Sequence, residues 1–78
     1  MITLKILSPE KEVLSEQVSL VELPGTQGRF EVLKDHAPLI STIEAGVIRY
    51  VQGEGRHEVE CTAGFVEVRD NVVTVCIG

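Results

Sequence analysis

The 78 residues carry a formal net charge of −5, seven Lys+Arg against twelve Asp+Glu, with two cysteines and an aromatic fraction of 4%. That length allows one thin-cored domain, and the acidic balance with so few rings excludes a nucleic-acid face, which needs a basic stripe and stacking platforms. Leu, Ile, Val and Phe supply 27 of the residues, too many for a disordered chain, and no apolar run is long enough for a transmembrane span or a signal-peptide core.

Val and Ile alone account for 18 residues, and β-branched side chains favour a pleated, half-buried surface over a helix. Ile2, Leu4 and Ile6 alternate with Thr3 and Lys5, so the chain opens with a strand, which Ser8-Pro9-Glu10-Lys11 breaks with turn chemistry. From Val13 to Leu23 the chain is extended again. Val18 and Leu20 are in phase, but the apolar phase then slips to Val21 and Leu23, which predicts a bulge or a strand change near Leu20-Val21. Leu23-Pro24-Gly25-Thr26 reads as a type II turn. Phe30 and Val32 restart a strand, Lys34-Asp35-His36-Ala37-Pro38 breaks it, and Leu39 to Ile43 forms another, closed by Glu44-Ala45-Gly46. Val47 to Gln52, Gly53-Glu54-Gly55 and Arg56 to Thr62 read as a hairpin with a glycine loop. Glu58, Glu60 and Thr62 make its wet face; Val59 and Cys61 make its buried one. Ala63-Gly64 turns the chain into Phe65 to Val68, Arg69-Asp70-Asn71 turns it again, and Val72 to Ile77 is the last strand. About eight short strands at regular spacing predict an all-β fold, an antiparallel sandwich or barrel without substantial helix, in one domain over residues 1–78.

Few residues invite chemistry. Pro24-Gly25-Thr26-Gln27-Gly28 is glycine-rich but lacks the Gly-Lys-Ser/Thr ending and the following helix of a phosphate cradle. Asp35-His36 suggests an acid–base pair, yet no nucleophile elbow accompanies it, and a loop His beside a turn Asp is more often structural or a contact residue. His57 and Cys61 lie about 13 Å apart along an extended strand, too far for one zinc ion. Glu10, Glu12 and Glu16 lack calcium-loop spacing. Two cysteines in a chain without a signal peptide read as reduced, buried thiols. No catalytic residue, metal or cofactor is expected. The 44% hydrophobic content is more than a thin sandwich hides with ease, leaving scattered exposed side chains and a partner surface as equal readings.

Taken together, the turns and strand ends resemble the ATP synthase epsilon subunit family. Pro9-Glu10 and Leu23-Pro24-Gly25-Thr26-Gln27-Gly28-Arg29-Phe30-Glu31-Val32-Leu33 are similar to its segment Pro-Gly-x-x-Gly-x-x-Gly-Val. His36-Ala37-Pro38-Leu39-Ile40-Ser41 is similar to His-Ala-Pro-Leu-Leu-Thr, and Glu44-Ala45-Gly46-Val47-Ile48-Arg49 to Lys-Pro-Gly-x-x-Arg. Ala63-Gly64-Phe65-Val66-Glu67-Val68 is similar to Gly-Gly-Phe-x-Glu-Val, and Asn71 to Cys76 to Asn-x-Val-Thr-Val-Leu. The order and spacing hold across essentially the whole chain.

The resemblance implies an antiparallel β-sandwich on the foot of a rotor, bound to the gamma subunit and to the polar loops of the c-ring. It implies torque coupling for ATP synthesis rather than catalysis, at the bacterial cytoplasmic membrane face, without direct membrane insertion and without a cofactor. By position, Gly28, Arg29, Phe30, Glu31, Asp35 and His36 are expected toward the c-ring, and Ser8, Ile40, Ser41 and Val47 toward gamma. Glu31 replaces a usual Gly, Lys34-Asp35 replaces a common Pro-Gly, and Arg29 stands where some relatives carry an acid, which predicts a different loop course and a reversed partner charge. Many relatives continue into an inhibitory helical hairpin that this reading expects to be absent after Gly78. A stand-alone β-sandwich binding module is the alternative, and a small hydrolase using His36 with Asp35 is a third reading resting on adjacency alone.

Overall fold

A computed structural model describes residues 1–78 as nine strands and no helix. They are β1 (Ile2–Leu7), β2 (Glu12–Val18), β3 (Leu20–Gly25), β4 (Gly28–Val32), β5 (Leu39–Ile43), β6 (Gly46–Gln52), β7 (Gly55–Cys61), β8 (Gly64–Arg69) and β9 (Val72–Ile77). Hydrogen bonding links them in one sheet in the order β2-β1-β9-β8-β5-β3-β6-β7, with β4 on β3. The sheet folds over on itself. The single bridged pair Gly25↔Ile43 joins β5 to β3 and divides a five-stranded layer, β2-β1-β9-β8-β5, from a four-stranded one, β4-β3-β6-β7. This is the expected sandwich.

The alternation of the sequence becomes the two-faced layering. Ile2, Leu4 and Ile6 are fully buried, and every strand sends at least one apolar side chain into the shared core of fifteen residues, among them Val18, Leu23, Val32, Ile43, Ile48, Cys61, Val66 and Val75. Burying an Ile, Leu or Val side chain stabilises by roughly 1.5–3 kcal/mol. No polar or charged residue is buried, so the core carries no desolvation cost of that kind. The phase slip after Leu20 is a strand change: Val18 ends β2 and Val21 begins the buried set of β3. Between them Ser19 N–H donates to the Val51 carbonyl at 2.9 Å as the chain passes between layers.

Two features depart from the sequence expectation. All pairs are antiparallel except one: β1 and β9 run parallel, with Leu4 opposite Val73 and Ile6 opposite Val75. The first and last strands meet through a separation that local pattern does not report. The turn expected at Leu23–Thr26 lies further on, because β3 continues through Pro24 and Gly25, paired with Arg29 and Gly28. Gly25 has no positive φ; Gly28 takes it, at 126°. Gly25 is required for close approach instead, since a Cβ there would lie 2.7 Å from the Gly28 carbonyl oxygen and 2.9 Å from the Phe30 ring. The other hairpins follow their turn chemistry. Gly53 at φ 59° opens the β6–β7 turn, and Asp70 and Asn71 at 52° and 62° give the β8–β9 turn the two positive φ angles of type I′.

Candidate functional site

The two layers share a core but present different outer faces. On the four-stranded layer, Glu22, Arg29 and Glu31 point outward from β3 and β4, and Arg49 and Glu58 from β6 and β7. Arg29 Nε donates to Glu22 Oε1 at 2.6 Å and its Nη2 to the Val47 carbonyl at 2.7 Å. Arg49 Nη1 reaches the same Glu22 oxygen at 3.1 Å, and its Nε donates to Glu58 Oε2 at 2.7 Å. The Arg29 hydrogen bond, helped by Arg49, holds the Glu22 carboxyl below its ordinary range. The hydrogen bonds from Glu58 and Glu22 raise Arg49 further above its own. A groove of ≈ 610 Å³ runs over this network, between Leu20, Glu31, Arg49 and Arg56. Most of its charges are already paired with one another.

The five-stranded layer turns a less polar face outward. Register places Thr42 of β5, Phe65 of β8, Cys76 of β9 and Leu7 of β1 in one row across the sheet, and Ile40, Glu67, Thr74 and Lys5 in the next. Ile40 is 73% exposed and Phe65 50%. Phe65, Leu7, Cys76, Ala63 and Pro9 line a shallow groove at one end of this face. The apolar surplus counted from composition is partly here.

The residues expected toward gamma divide between these surroundings. Ile40 stands on the apolar face. Ser8 lines the groove at its end, where its Oγ donates to the Lys11 carbonyl at 3.1 Å and holds the β1–β2 turn. Ser41 alternates with Ile40 toward the core side, opposite buried Val66. Val47 alternates with buried Ile48 on the outer side of the four-stranded layer, opposite Glu60.

The residues expected toward the c-ring follow one flank, the edge strand β4 and the loop after it. Arg29 and Glu31 point outward, whereas Phe30 turns in against the core. Arg29 spends its charge on Glu22, so it is less free for a partner than its position suggests. Asp35 takes a positive φ of 64°. Its N–H donates to Asn71 Oδ1 at 2.6 Å, and Asn71 Nδ2 donates back to Asp35 Oδ1 at 3.1 Å. His36 Nδ1–H donates to the Ala37 carbonyl at 2.7 Å. Aspartate and histidine thus each have another partner, and the acid–base pair suggested by adjacency is not formed.

His57 stacks on Tyr50 with ring centroids 5.1 Å apart. Cys61 and Cys76 are unpaired; Cys61 is buried, and burial raises its thiol pKa. Cys76 is half-buried rather than buried, because it falls in the outward parity of β9. Sequence reasoning missed Phe65 as a surface residue, although its alternation with buried Val66 and Val68 carried the signal. It also missed the Asp35–Asn71 tie, across 36 positions, and the link from Arg49 to Glu22, across 27, although the predicted hairpin already sets Arg49 opposite Glu58.

The family model described as ATP synthase, Delta/Epsilon chain, beta-sandwich domain matches residues 1–77. The chain is 49% identical over 73 residues to the ATP synthase epsilon chain of Desulfitobacterium hafniense, covering 94% of this chain and 55% of that protein. It is 42% identical over 76 residues to that of Magnetococcus marinus, covering 97% and 56%. The chain therefore spans about half the length of the curated relatives it matches. Among solved structures, a chain of the Euglena gracilis mitochondrial ATP synthase, OSCP/F1/c-ring, superposes with a TM-score of 0.89 at 22% identity, over 97% of this chain and 49% of that one. A chain of the Tetrahymena thermophila mitochondrial ATP synthase central stalk and c-ring gives 0.79 at 14% identity, over 97% and 62%. At those identities the likeness is one of fold.

Proposed function

The chain belongs to the ATP synthase Delta/Epsilon chain beta-sandwich family, and from that premise we propose that it is a non-catalytic rotor module joining a gamma subunit to a c-ring. In this reading it carries torque between proton flow and ATP synthesis, held peripherally at the cytoplasmic membrane face. The observation that carries the reading is the exposed apolar face around Ile40 and Phe65. A surface of this kind is better covered than solvated, and a stalk subunit is a partner that covers it. The β4 flank, with Glu31 outermost and the Asp35–His36 loop fixed by Asn71, supplies a polar surface suited to the polar loops of a c-ring.

Membrane association then comes through partners. No helix is long and apolar enough to cross a membrane.

Co-purification with a gamma subunit tests the reading. Ile40→Glu places a carboxylate in the apolar contact and is expected to weaken gamma binding about tenfold or more, equivalent to about 1.4 kcal/mol, with unfolding unchanged. Val47→Glu, on the opposite outer face, is expected to bind as the parent does. Equal binding by parent and Ile40→Glu would remove the apolar face from the interface. No association with gamma under conditions that assemble the stalk would leave the stand-alone binding module as the better reading.

A further inference from the structure

β9 is the middle strand of the five-stranded layer, and the outer face on either side of it is self-complementary. Lys5 on β1 and Glu67 on β8 flank Thr74 in one row; Leu7 and Phe65 flank Cys76 in the next. Lys5 and Glu67 are half-buried, and neither belongs to any of the ion pairs within the chain. Further out, Val13 on β2 and Ile40 on β5 are the exposed aliphatic residues of the two flanking strands, 44% and 73% exposed.

Consider a second copy laid face to face on the first, related by a twofold axis running along β9 in the plane of contact. The axis exchanges β1 with β8 and β2 with β5. Lys5 of each copy then meets Glu67 of the other, and Leu7 meets Phe65. Val13 and Ile40 stand at the two flanks of the contact. Thr74 and Cys76 fall on the axis, each against its own counterpart. An isologous contact requires this kind of pairing, in which residue i meets j and j meets i.

We propose that the chain self-associates through this face as a symmetric, weak homodimer, with Lys5–Glu67 pairs on both sides of an axis marked by Cys76. Charge sets the register. Sliding either copy by one strand places Lys5 against Thr74 or an apolar neighbour and leaves Glu67 unpaired, so the twofold arrangement is the one that satisfies both charges. The paired residues lie on the three central strands β1, β9 and β8, a patch below standard interface size, so the dimer is weak. The proposal does not rest on the rotor reading: it concerns the chain alone, and a gamma subunit would compete for the same face.

Sedimentation equilibrium of the isolated chain, over about three decades of concentration up to about 1 mM, reads the association directly. A monomer–dimer equilibrium is expected. Glu67→Lys and Lys5→Glu are each expected to raise the dissociation constant about tenfold or more, by setting like charges opposite one another. The double variant Lys5→Glu/Glu67→Lys is expected to restore it. Both positions are on the outer face, and circular dichroism checks that all variants fold. Facing sheets stand about 10 Å apart, too far for a disulfide, so a short bis-maleimide is the probe at the axis. It is expected to link two chains through Cys76 and to fail in Cys76→Ser. A chain that stays monomeric at every concentration overturns the proposal, as does a dimer that Glu67→Lys leaves intact or that the double variant does not rescue. A chain monomeric throughout but captured by a gamma subunit through Ile40 assigns the face to that partner alone and also overturns it.

Discussion

The outer face of the four-stranded layer closes most of its charges on one another, whereas that of the five-stranded layer leaves its chemistry open. Both faces are the outward half of alternating strands packed on one core. On the first, Glu22, Arg29, Arg49 and Glu58 form an ion network whose members satisfy one another. On the second, Ile40 and Phe65 project without cover and Lys5 and Glu67 stand unpaired. Charge density is therefore a poor guide to where a partner binds. A charged surface can be largely spent internally, with Glu31 and Arg56 left over here, while the face with fewer charges leaves both Lys5 and Glu67 unpaired.

The largest effect tests whether the two faces belong to one cooperative body. Leu4→Ala empties a core site under the five-stranded layer and Leu23→Ala one under the four-stranded layer, both fully buried. Each is expected to cost about 2–5 kcal/mol in urea unfolding, with a single transition in both. A second transition in either would show that the layers melt separately and that their faces cannot be compared as two sides of one unit.

A smaller effect probes how the layers are tied. Asn71 turns the chain between β8 and β9 and holds the loop leaving β4 through Asp35. Asn71→Ala loses that tie and puts a residue that does not tolerate the left-handed region where Asn does, an expected loss of about 1–2 kcal/mol. Asn71→Gly keeps the turn and loses only the tie, so it is expected to cost less. In both, the Asp35 amide is expected to exchange its hydrogen faster. Equal losses would assign the whole role of Asn71 to the tie.

The smallest effect is electrostatic. Glu22 titrates below its ordinary value of 4.5 because of Arg29 and then Arg49. A lowered carboxyl contributes stability that is complete above that ordinary value and disappears as pH falls through the lower folded one. An NMR titration of the Glu22 carboxyl is expected to show a midpoint below 4.5 that moves back toward it in Arg29→Ala. The exposed network is screened by solvent, so this variant is expected to move stability less than either core variant. A midpoint unmoved by Arg29→Ala would mean the network is not closed in the way its geometry states.

What the sequence made legible follows from distance along the chain. β1, β7 and β8 were readable because a strand with one wet face alternates at every second residue. The strand change at Ser19 was readable as a slip in that same period. The parallel pairing of β1 with β9 was not, since nothing within either strand reports which strand lies beside it. Arg49 meets Glu22 across 27 positions and Asp35 meets Asn71 across 36, so neither contact leaves a local pattern. Pro24-Gly25 misled for a different reason. The dipeptide has turn composition, but Gly25 is there for the ring of Phe30, and the reversal falls at Thr26-Gln27. Of the positions taken from the family resemblance, Ile40 lies on the apolar face and Val47 on the other layer, a division visible only once the strands are assigned to layers.

The parallel contact between the first and last strands also has a consequence for the order of events during synthesis. Until β9 has emerged, the β1–β2 hairpin on one side and the β5–β8 pair on the other have no strand between them. A growing chain therefore holds two half-layers with open hydrogen-bonding edges and exposed valines, and both are sealed by one late insertion. Pairings that span the whole chain are slow to form, and open edges recruit strands from other chains while they wait. The interval before β9 docks is thus one in which both half-layers offer open edges to other chains.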